Sequence, residues 1–387
     1  MLFETPALGD RELEVIGEVD ELKQKLRRQI VQEPRRWFGS LRRVSMARAI
    51  QGSNSIEGYD APLDDAAAVD LGEEPLDADQ ETRLALKGYR DAMTYVLQLA
   101  GEPDFAYSEQ LLKSLHFMMT NHDLKTRPGL WRAGSIFVRN EATGEIVYEG
   151  ADIDDVASLM AELVVRLNDE PTIPPVVRAG MAHLNLVMIH PFRDGNGCMA
   201  RCLQTLVLAR EGVLAPVFCS IEEYLGRNTQ AYDDVLAEVG GGSWHPDHDA
   251  TPWVRFVLTA HLRQARTMLR RTKESERLWD ALEAVQREHG LPERVVSGLF
   301  DAAMGFRVRN ATYRAIAYAE DGEITEGTAT RDLGRMVDAG LLEPNGEKRG
   351  RYYTATKKII SIRRAIIDAR DPRDESDPLA GLGPLVP

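Results

Sequence analysis

Cysteine is scarce in this chain, with three residues in 387, two of which, Cys198 and Cys202, stand one helical turn apart. That number excludes a disulfide framework and suits a reducing compartment, so a cytoplasmic location is expected. Long apolar runs are absent too. Near the most informative segment the longest is Leu186 to Ile189, far below the ~20 residues that span a bilayer, and Met1-Leu2-Phe3-Glu4 lacks the basic and apolar parts of a secretory signal. No membrane partner is therefore expected. No internal repeat is found. Metal-ligating clusters are missing: His245 and His248 lie close together, but a zinc site takes three or four ligands and no cysteine is near them in sequence. Positive charge falls short as a whole, with 47 Lys and Arg against 61 Asp and Glu and a net of −14. The 43% apolar content suffices for ordinary globular packing, and the length allows two or three domains.

What is present is concentrated in twelve positions, His190-Pro191-Phe192-Arg193-Asp194-Gly195-Asn196-Gly197-Cys198-Met199-Ala200-Arg201. Val177, Met181, Leu184 and Met188 precede them at helical spacing, and Met199, Cys202, Leu203, Leu206 and Val207 resume it, so a loop joins two core helices. Pro191 cannot continue the first helix, and Gly195 and Gly197 permit the positive φ and close approach of a backbone anion cradle. The second helix begins there, with unpaired N–H groups and the positive end of its dipole facing the loop. Asp194 fits among such donors if a divalent cation bridges it to phosphate oxygens. His190 is a base near neutral pH, and the Arg201 fork suits a phosphate. A helix-ending turn with a buried histidine and an ordinary Gly-Asn-Gly turn would explain the pieces singly, but not their conjunction.

The segment closely resembles the Fic family signature, H-P-F-x-[D/E]-G-N-G-R-x-x-R, matching at every position but one. The resemblance implies a mainly α fold, a helical Fic domain with a small β-hairpin flap, and transfer of AMP from Mg-ATP to a Ser, Thr or Tyr hydroxyl of a target protein or of the chain itself. By position, His190 would be the general base and Asp194 the Mg²⁺ ligand. Gly195, Asn196 and Gly197 would form the anion hole, and Arg201 would hold the distal phosphate. Cys198 stands where the family has its first arginine. Losing one charge-assisted contact is worth about 1.5–3 kcal/mol, or roughly ten- to hundredfold, so weak activity is expected. At a helix N-terminus Cys198 would be a nucleophile or redox switch if its pKa is lowered, and inert packing otherwise.

Upstream, Ser53-Asn54-Ser55-Ile56-Glu57-Gly58 resembles the family's inhibitory motif, [S/T]-x-x-x-E-[G/N]. Glu57 would pair with Arg201 in place of the distal phosphate and exclude productive ATP binding. The same residues would also close a helix beginning near Leu41, with Gly58 as its C-terminal cap. Between the motifs, Trp131 to Val138, Asn140 to Gly144 and Ile146 to Tyr148 read as a hairpin, at the position where the family places its flap. After the signature, Asn228 and Tyr232 share a helix face at i, i+4 and would contact a nucleoside, unless Tyr232 is core.

Punctuation divides the chain into a helical region over 1–100 carrying the inhibitory motif, a catalytic core over 101–270, a further domain over 271–365 and a disordered tail over 366–387. An opening helix runs from Arg11 to a break near Glu33-Pro34, another spans Gln80 to Leu99, and a third covers Trp253 to Leu269. Between Arg307 and Arg364 the balance reverses to twelve Lys and Arg against eight Asp and Glu. Helices around Pro292–Ala303, Asn310–Glu320 and Thr328–Ala339, then a hairpin around Asn345-Gly346, resemble a winged helix. In a DNA-binding reading Thr330, Arg331 and Arg335 would face the major groove and Lys348, Arg349 and Arg351 the phosphates. Homodimerisation or target docking is the other use of such a domain. Two functions follow: an autoinhibited protein adenylyltransferase, or a nucleotide-sensing, DNA-binding regulator or scaffold whose Fic site is weakened by Cys198.

Overall fold

The computed structural model describes residues 1–31, 37–139, 143–169, 173–212, 218, 220–347, 350–372, 374 and 376–382, with backbone alone at 30–31 and 318–321. The expected break at Glu33-Pro34, Asn140 in the first hairpin and the phosphate contacts from Lys348 and Arg349 lie outside the described residues. The chain is mainly helical, as expected. Its first helix, α1 (Asp10–Val31), buries Val15, Ile16, Val19, Leu22 and Leu26. That stripe packs along a long helix near the other end of the chain, to which Arg255 and Arg266 tie it through Glu12 and Glu18, each at 2.7 Å.

Helix α2 (Phe38–Ile56) contains Ser53, ends at Glu57 and is buried along most of its length. It is followed by α3 (Leu63–Asp70), α4 (Gln80–Leu99) and α5 (Glu109–Thr120). Asp79 and Ser108 cap α4 and α5 by accepting the Thr82 and Leu111 N–H groups, each such cap being worth about 1 kcal/mol. The acidic segment between α3 and α4 is folded by Asp65, whose carboxylate accepts the N–H groups of Leu76, Asp77 and Ala78 at 2.7–2.9 Å.

Strands β1 (Phe137–Arg139) and β2 (Ile146–Glu149) form the expected antiparallel hairpin, with an irregularity between Val138 and Arg139. Helices α6 (Val156–Asn168), α7 (Pro175–Ile189) and α8 (Asn196–Arg210) complete the centre. From Cys198 to Ala209 every residue of α8 is buried, so α8 is the core helix around which α7, α4, α5 and α2 pack. Burial of a leucine such as Leu203 or Leu206 stabilises by roughly 1.5–3 kcal/mol.

The remaining helices are α9 (Glu222–Arg227), α10 (Thr229–Gly240) and α11 (Thr251–Glu288). The last is the partner of α1 and extends nineteen residues past Leu269, where the sequence reading ended it. Leu278, Leu282 and Val285 keep the apolar stripe going through a charge-rich stretch. Then come α12 (Val295–Met304), α13 (Asn310–Asp321) and α14 (Glu326–Asp338), an antiparallel pair β3 (Leu342–Asn345) and β4 (Tyr352–Ala355), and α15 (Lys357–Asp368). Arg294 grips Asp332 with two nitrogens at 2.7 and 3.1 Å. This unit docks on α2, α3 and the segment after it: Arg43 of α2 pairs with Asp301 at 2.9 Å, and Arg307 pairs with Asp64, Asp65 and Asp77. In the tail, Leu379 is buried and Asp374 pairs with Arg266.

Candidate active site

Helix α7 stops because His190 adopts a left-handed conformation, φ 54° and ψ 57°, followed by Pro191. The loop is then clamped from inside. The Asn196 side chain accepts the Phe192 N–H at 2.9 Å and donates to the Phe192 carbonyl at 3.0 Å. Gly195, at φ 72°, turns the chain into α8. The first N–H of α8 to find a carbonyl is that of Met199, bonded to Gly195 at 3.0 Å. Those of Asn196, Gly197 and Cys198 lie ahead of it at the positive end of the helix.

His190 is held in a fixed orientation. Its backbone N–H donates to Leu186, and its Nδ1 lies 3.1 Å from the Val187 carbonyl, which makes Nδ1 the protonated nitrogen and leaves the Nε2 lone pair available. Burial lowers its pKa to about 4, so the ring is neutral at pH 7. The Asp194 side chain is exposed, accepting only the Gly195 N–H, at 2.8 Å, among the described residues.

Arg201 is 1% exposed and Glu57 24%. The guanidinium donates from Nε to Ser53 Oγ at 2.8 Å, and from one terminal nitrogen to the Ser53 carbonyl at 2.9 Å and to Glu57 Oε1 at 2.7 Å. Helix α2 delivers these partners because Gly58, at φ 82°, closes it: the Tyr59 N–H returns to the Asn54 carbonyl at 3.0 Å. The motif's glycine therefore caps α2 and aims Glu57 at once. A Cβ on Gly197 would come within 2.3 Å of Glu57 Oε1, so the Glu57 carboxylate rests against the N-terminal turn of α8.

At Cys198 the structure favours inert packing over the reactive alternative. Its thiol is buried, 3.4 Å from an Arg201 nitrogen and 3.8 Å from Ser53 Oγ, and burial followed by the charge of Glu57 pushes its pKa up to about 12. It is neither a poised nucleophile nor a redox switch: desolvation outweighs the helix N-terminus. Asn228 and Tyr232 are not brought to one cavity. Tyr232 is buried with its hydroxyl 2.9 Å from His183 Nε2, whereas Asn228 sits at the junction of α9 and α10 and donates to the Tyr224 carbonyl.

Three supporting residues escaped the sequence reading. Arg132 is buried and donates to the carbonyls of His190, at 2.8 Å, Gly134, at 2.7 Å, and Ala151, while its backbone N–H donates to Pro191. One guanidinium thus locks the base of the hairpin to the histidine loop. His116 stacks on Phe192 with centroids 3.7 Å apart, holds the Asp194 carbonyl through Nε2 at 2.9 Å and accepts the Gly129 N–H. Behind α8, the buried Glu222 accepts hydroxyls from Tyr89 at 3.0 Å and Thr205 at 2.9 Å.

Beside Glu57 lies a cavity of about 180 Å³ lined by Glu57, Asp194, Gly195 and Cys198, with Glu81 and Asp123 further out. Among the described residues no group of three His, Cys, Asp or Glu side chains forms a metal cage. The arrangement therefore supplies a neutral base, an exposed carboxylate, a helix N-terminus and a buried guanidinium already engaged by a glutamate.

A family model described as Fic/DOC matches residues 106–208. Protein adenylyltransferase fic-1 of Caenorhabditis briggsae is 37% identical over 107 residues, 26% of this chain and 18% of that protein. Protein adenylyltransferase Fic of Culex quinquefasciatus is 31% identical over 173 residues, 44% of this chain and 31% of that protein. The alignments thus span a fifth to a third of these relatives. Among solved structures, a Fic family protein from Desulfovibrio desulfuricans G20 superposes over 91% of this chain and 98% of its own, with a TM-score of 0.57 at 23% identity. Fic-1 from Caenorhabditis elegans superposes over 68% and 73%, with a TM-score of 0.53 at 21% identity. Those two likenesses carry the fold, and the segment that matches the Fic/DOC family model, residues 106–208, contains His190, the loop and Arg201.

Proposed function

We propose that the chain is an autoinhibited protein adenylyltransferase, a nucleotidyltransferase that moves AMP from ATP to a hydroxyl side chain of a protein target or of itself. The observation that carries the reading is the Glu57–Arg201 pair, which sets a carboxylate at the N-terminal turn of α8. In the productive state the distal phosphate replaces Glu57 on Arg201, and the N–H groups of Asn196, Gly197 and Cys198 take phosphate oxygens. His190 Nε2 removes the proton of the attacking hydroxyl as its oxygen bonds to the α-phosphorus. The bond from that phosphorus to the bridging oxygen breaks, and pyrophosphate leaves with the electron pair.

The donor set fits Mg²⁺. One exposed carboxylate, Asp194, in an acidic cavity without a protein cage, suits a hard cation completed by phosphate oxygens. When bound, the ion neutralises phosphate charge. Asp194 anchors it, and His190 and Arg201 act on protons and phosphate respectively. Cys198 adds no charge, so Arg201 is the guanidinium on which distal phosphate binding rests.

The test is incubation of the wild type, Glu57→Gly and Glu57→Gly/His190→Ala with Mg-ATP, followed by intact mass. One added AMP in Glu57→Gly alone supports transfer and inhibition together. Its absence from all three sinks the reading in favour of a nucleotide-sensing regulator. For that alternative, Arg331, Arg335 and Arg351 are exposed on α14 and at the hairpin of the winged-helix-like unit, and salt-dependent duplex DNA binding lost in Arg331→Ala would support it.

A further inference from the structure

A cleft of about 730 Å³ opens between α9, α11 and α15, and it shares no lining residue with the cavity beside Glu57. It runs into a recess of about 150 Å³ through the common residues Arg227, Arg270, Glu274, Ile366 and Arg370. The recess is apolar at its floor, where Leu278, Phe300 and Met304 meet Ile366, and its walls carry six guanidiniums: Arg48, Arg227, Arg270, Arg271, Arg363 and Arg370.

Among the described residues two carboxylates, Glu223 and Glu274, pair with five of these six, and Asp371 and Asp374 also line the cleft. Glu223 is shared by Arg271, Arg48 at 3.2 Å and Arg227 at 2.8 Å, and Glu274 by Arg370 at 2.6 Å and Arg270 at 3.6 Å. Arg363 forms no ion pair within 4.0 Å among the described residues. The crowding registers as repulsion. Burial and the charges of Arg271, Arg227 and Arg363 lower the Arg48 pKa to about 10, and burial with Arg370 and Arg271 lowers that of Arg363. In a chain of net charge −14, convergent and half-dry cations of this kind call for an anion. Lys273 and exposed Arg277 extend the positive wall outward along α11.

We propose that this cleft is a binding site for a nucleoside polyphosphate, its phosphates held by Arg227, Arg363, Arg370 and Arg277 and its base set against the apolar floor. Guanidinium forks match phosphate oxygens two at a time. The charges converge on a partly open cleft and its recess and do not run along a flat face, which favours a small ligand over a nucleic acid strand. The site is separate from the proposed transfer site and does not depend on it.

The test is calorimetric titration of the full chain with metal-free ATP, inorganic tripolyphosphate and decathymidylate. ATP is expected to bind the wild type at one site, more tightly than tripolyphosphate. Arg363→Gln and Arg277→Gln are each expected to weaken it about tenfold or more with unchanged melting temperature. Should Arg363→Gln fail to fold, exposed Arg277→Gln carries the test. Undetectable ATP binding, undiminished binding in the variants, tripolyphosphate binding as tightly as ATP, or a preference for decathymidylate would each overturn the proposal. When the titration is repeated with Mg-ATP, Glu57→Gly is expected to add a second, Arg363-independent ATP site. If that site alone is missing, autoinhibition by Glu57 fails and the cleft stands.

Discussion

Arg201 sits at the junction of everything the site does, because Cys198 contributes no charge and Glu57 already occupies one of the guanidinium's terminal nitrogens. Ser53 holds Arg201 twice, so Ser53→Ala removes the Nε partner of a buried guanidinium. It should lower stability by about 1–3 kcal/mol in chemical denaturation, and an unchanged midpoint would contradict the role given to that hydroxyl. Arg132→Lys keeps the charge but loses the three-carbonyl grip that fixes the His190 backbone. In the Glu57→Gly background it should slow AMP transfer about tenfold or more while nucleotide affinity holds; an effect on affinity alone would argue against positioning. The Cys198 thiol, with its pKa near 12, should resist iodoacetamide at pH 8 in the native protein and react once urea unfolds it. The twelve-residue segment was legible because its chemistry is spelled at consecutive positions. Arg132 and His116 were not, since they act on partners 58 and 78 residues away and no local pattern announces such a contact.

At the scale of elements, the position of Glu57 depends on a close crossing of α2 and α9. A Cβ on Gly52 would lie 2.5 Å from the Glu222 carbonyl oxygen, and one on Gly226 would lie 2.6 Å from that of Gly52. Neither neighbour is a side chain able to swing away. Gly226→Ala should cost about 1–3 kcal/mol by overpacking and, by pushing α2 off α9, raise self-modification above wild type. A Gly226→Ala protein as stable as wild type by thermal melting would show that the helices have slack. Helix α4 and the two hairpins were readable from capping residues, periodicity and turn chemistry. The second half of α11 was not, because its apolar residues are sparse among charges and their partners, on α12 and α15, lie later in the chain. The surroundings of Asn228 and Tyr232 were not legible for a related reason: spacing places Asn228 on the helix, while tertiary packing sets it at the junction of α9 and α10 and buries Tyr232 against His183.

Taken as a whole, the molecule keeps several histidines neutral in its interior. Burial lowers His116 to about 4, His183 to about 3 and His261 well below its usual value. Between these values and 6.5 the unfolded chain binds protons that the folded one refuses, so stability falls as pH drops below 6.5 and is flat above it. Each histidine contributes roughly 2 kcal/mol of loss by pH 5. The buried Asp70 carboxyl, raised to about 6, works in the opposite direction below pH 6, since the folded state then takes up a proton more readily. Urea midpoints should accordingly decline from pH 7 to pH 5, and a midpoint that rises over that interval would contradict neutral burial of these rings.

The contact between Glu57 and Arg201 joins two points of a single polypeptide. Its local concentration is therefore set by the fold and not by the amount of protein in solution. Dilution, which separates a pair held on two chains, leaves this one in place. Opening is a first-order event of the individual molecule. A nucleotide competing for Arg201 must outbid a neighbour that never diffuses away, whereas any force that shifts α2 against α8 removes that neighbour at every protein concentration alike.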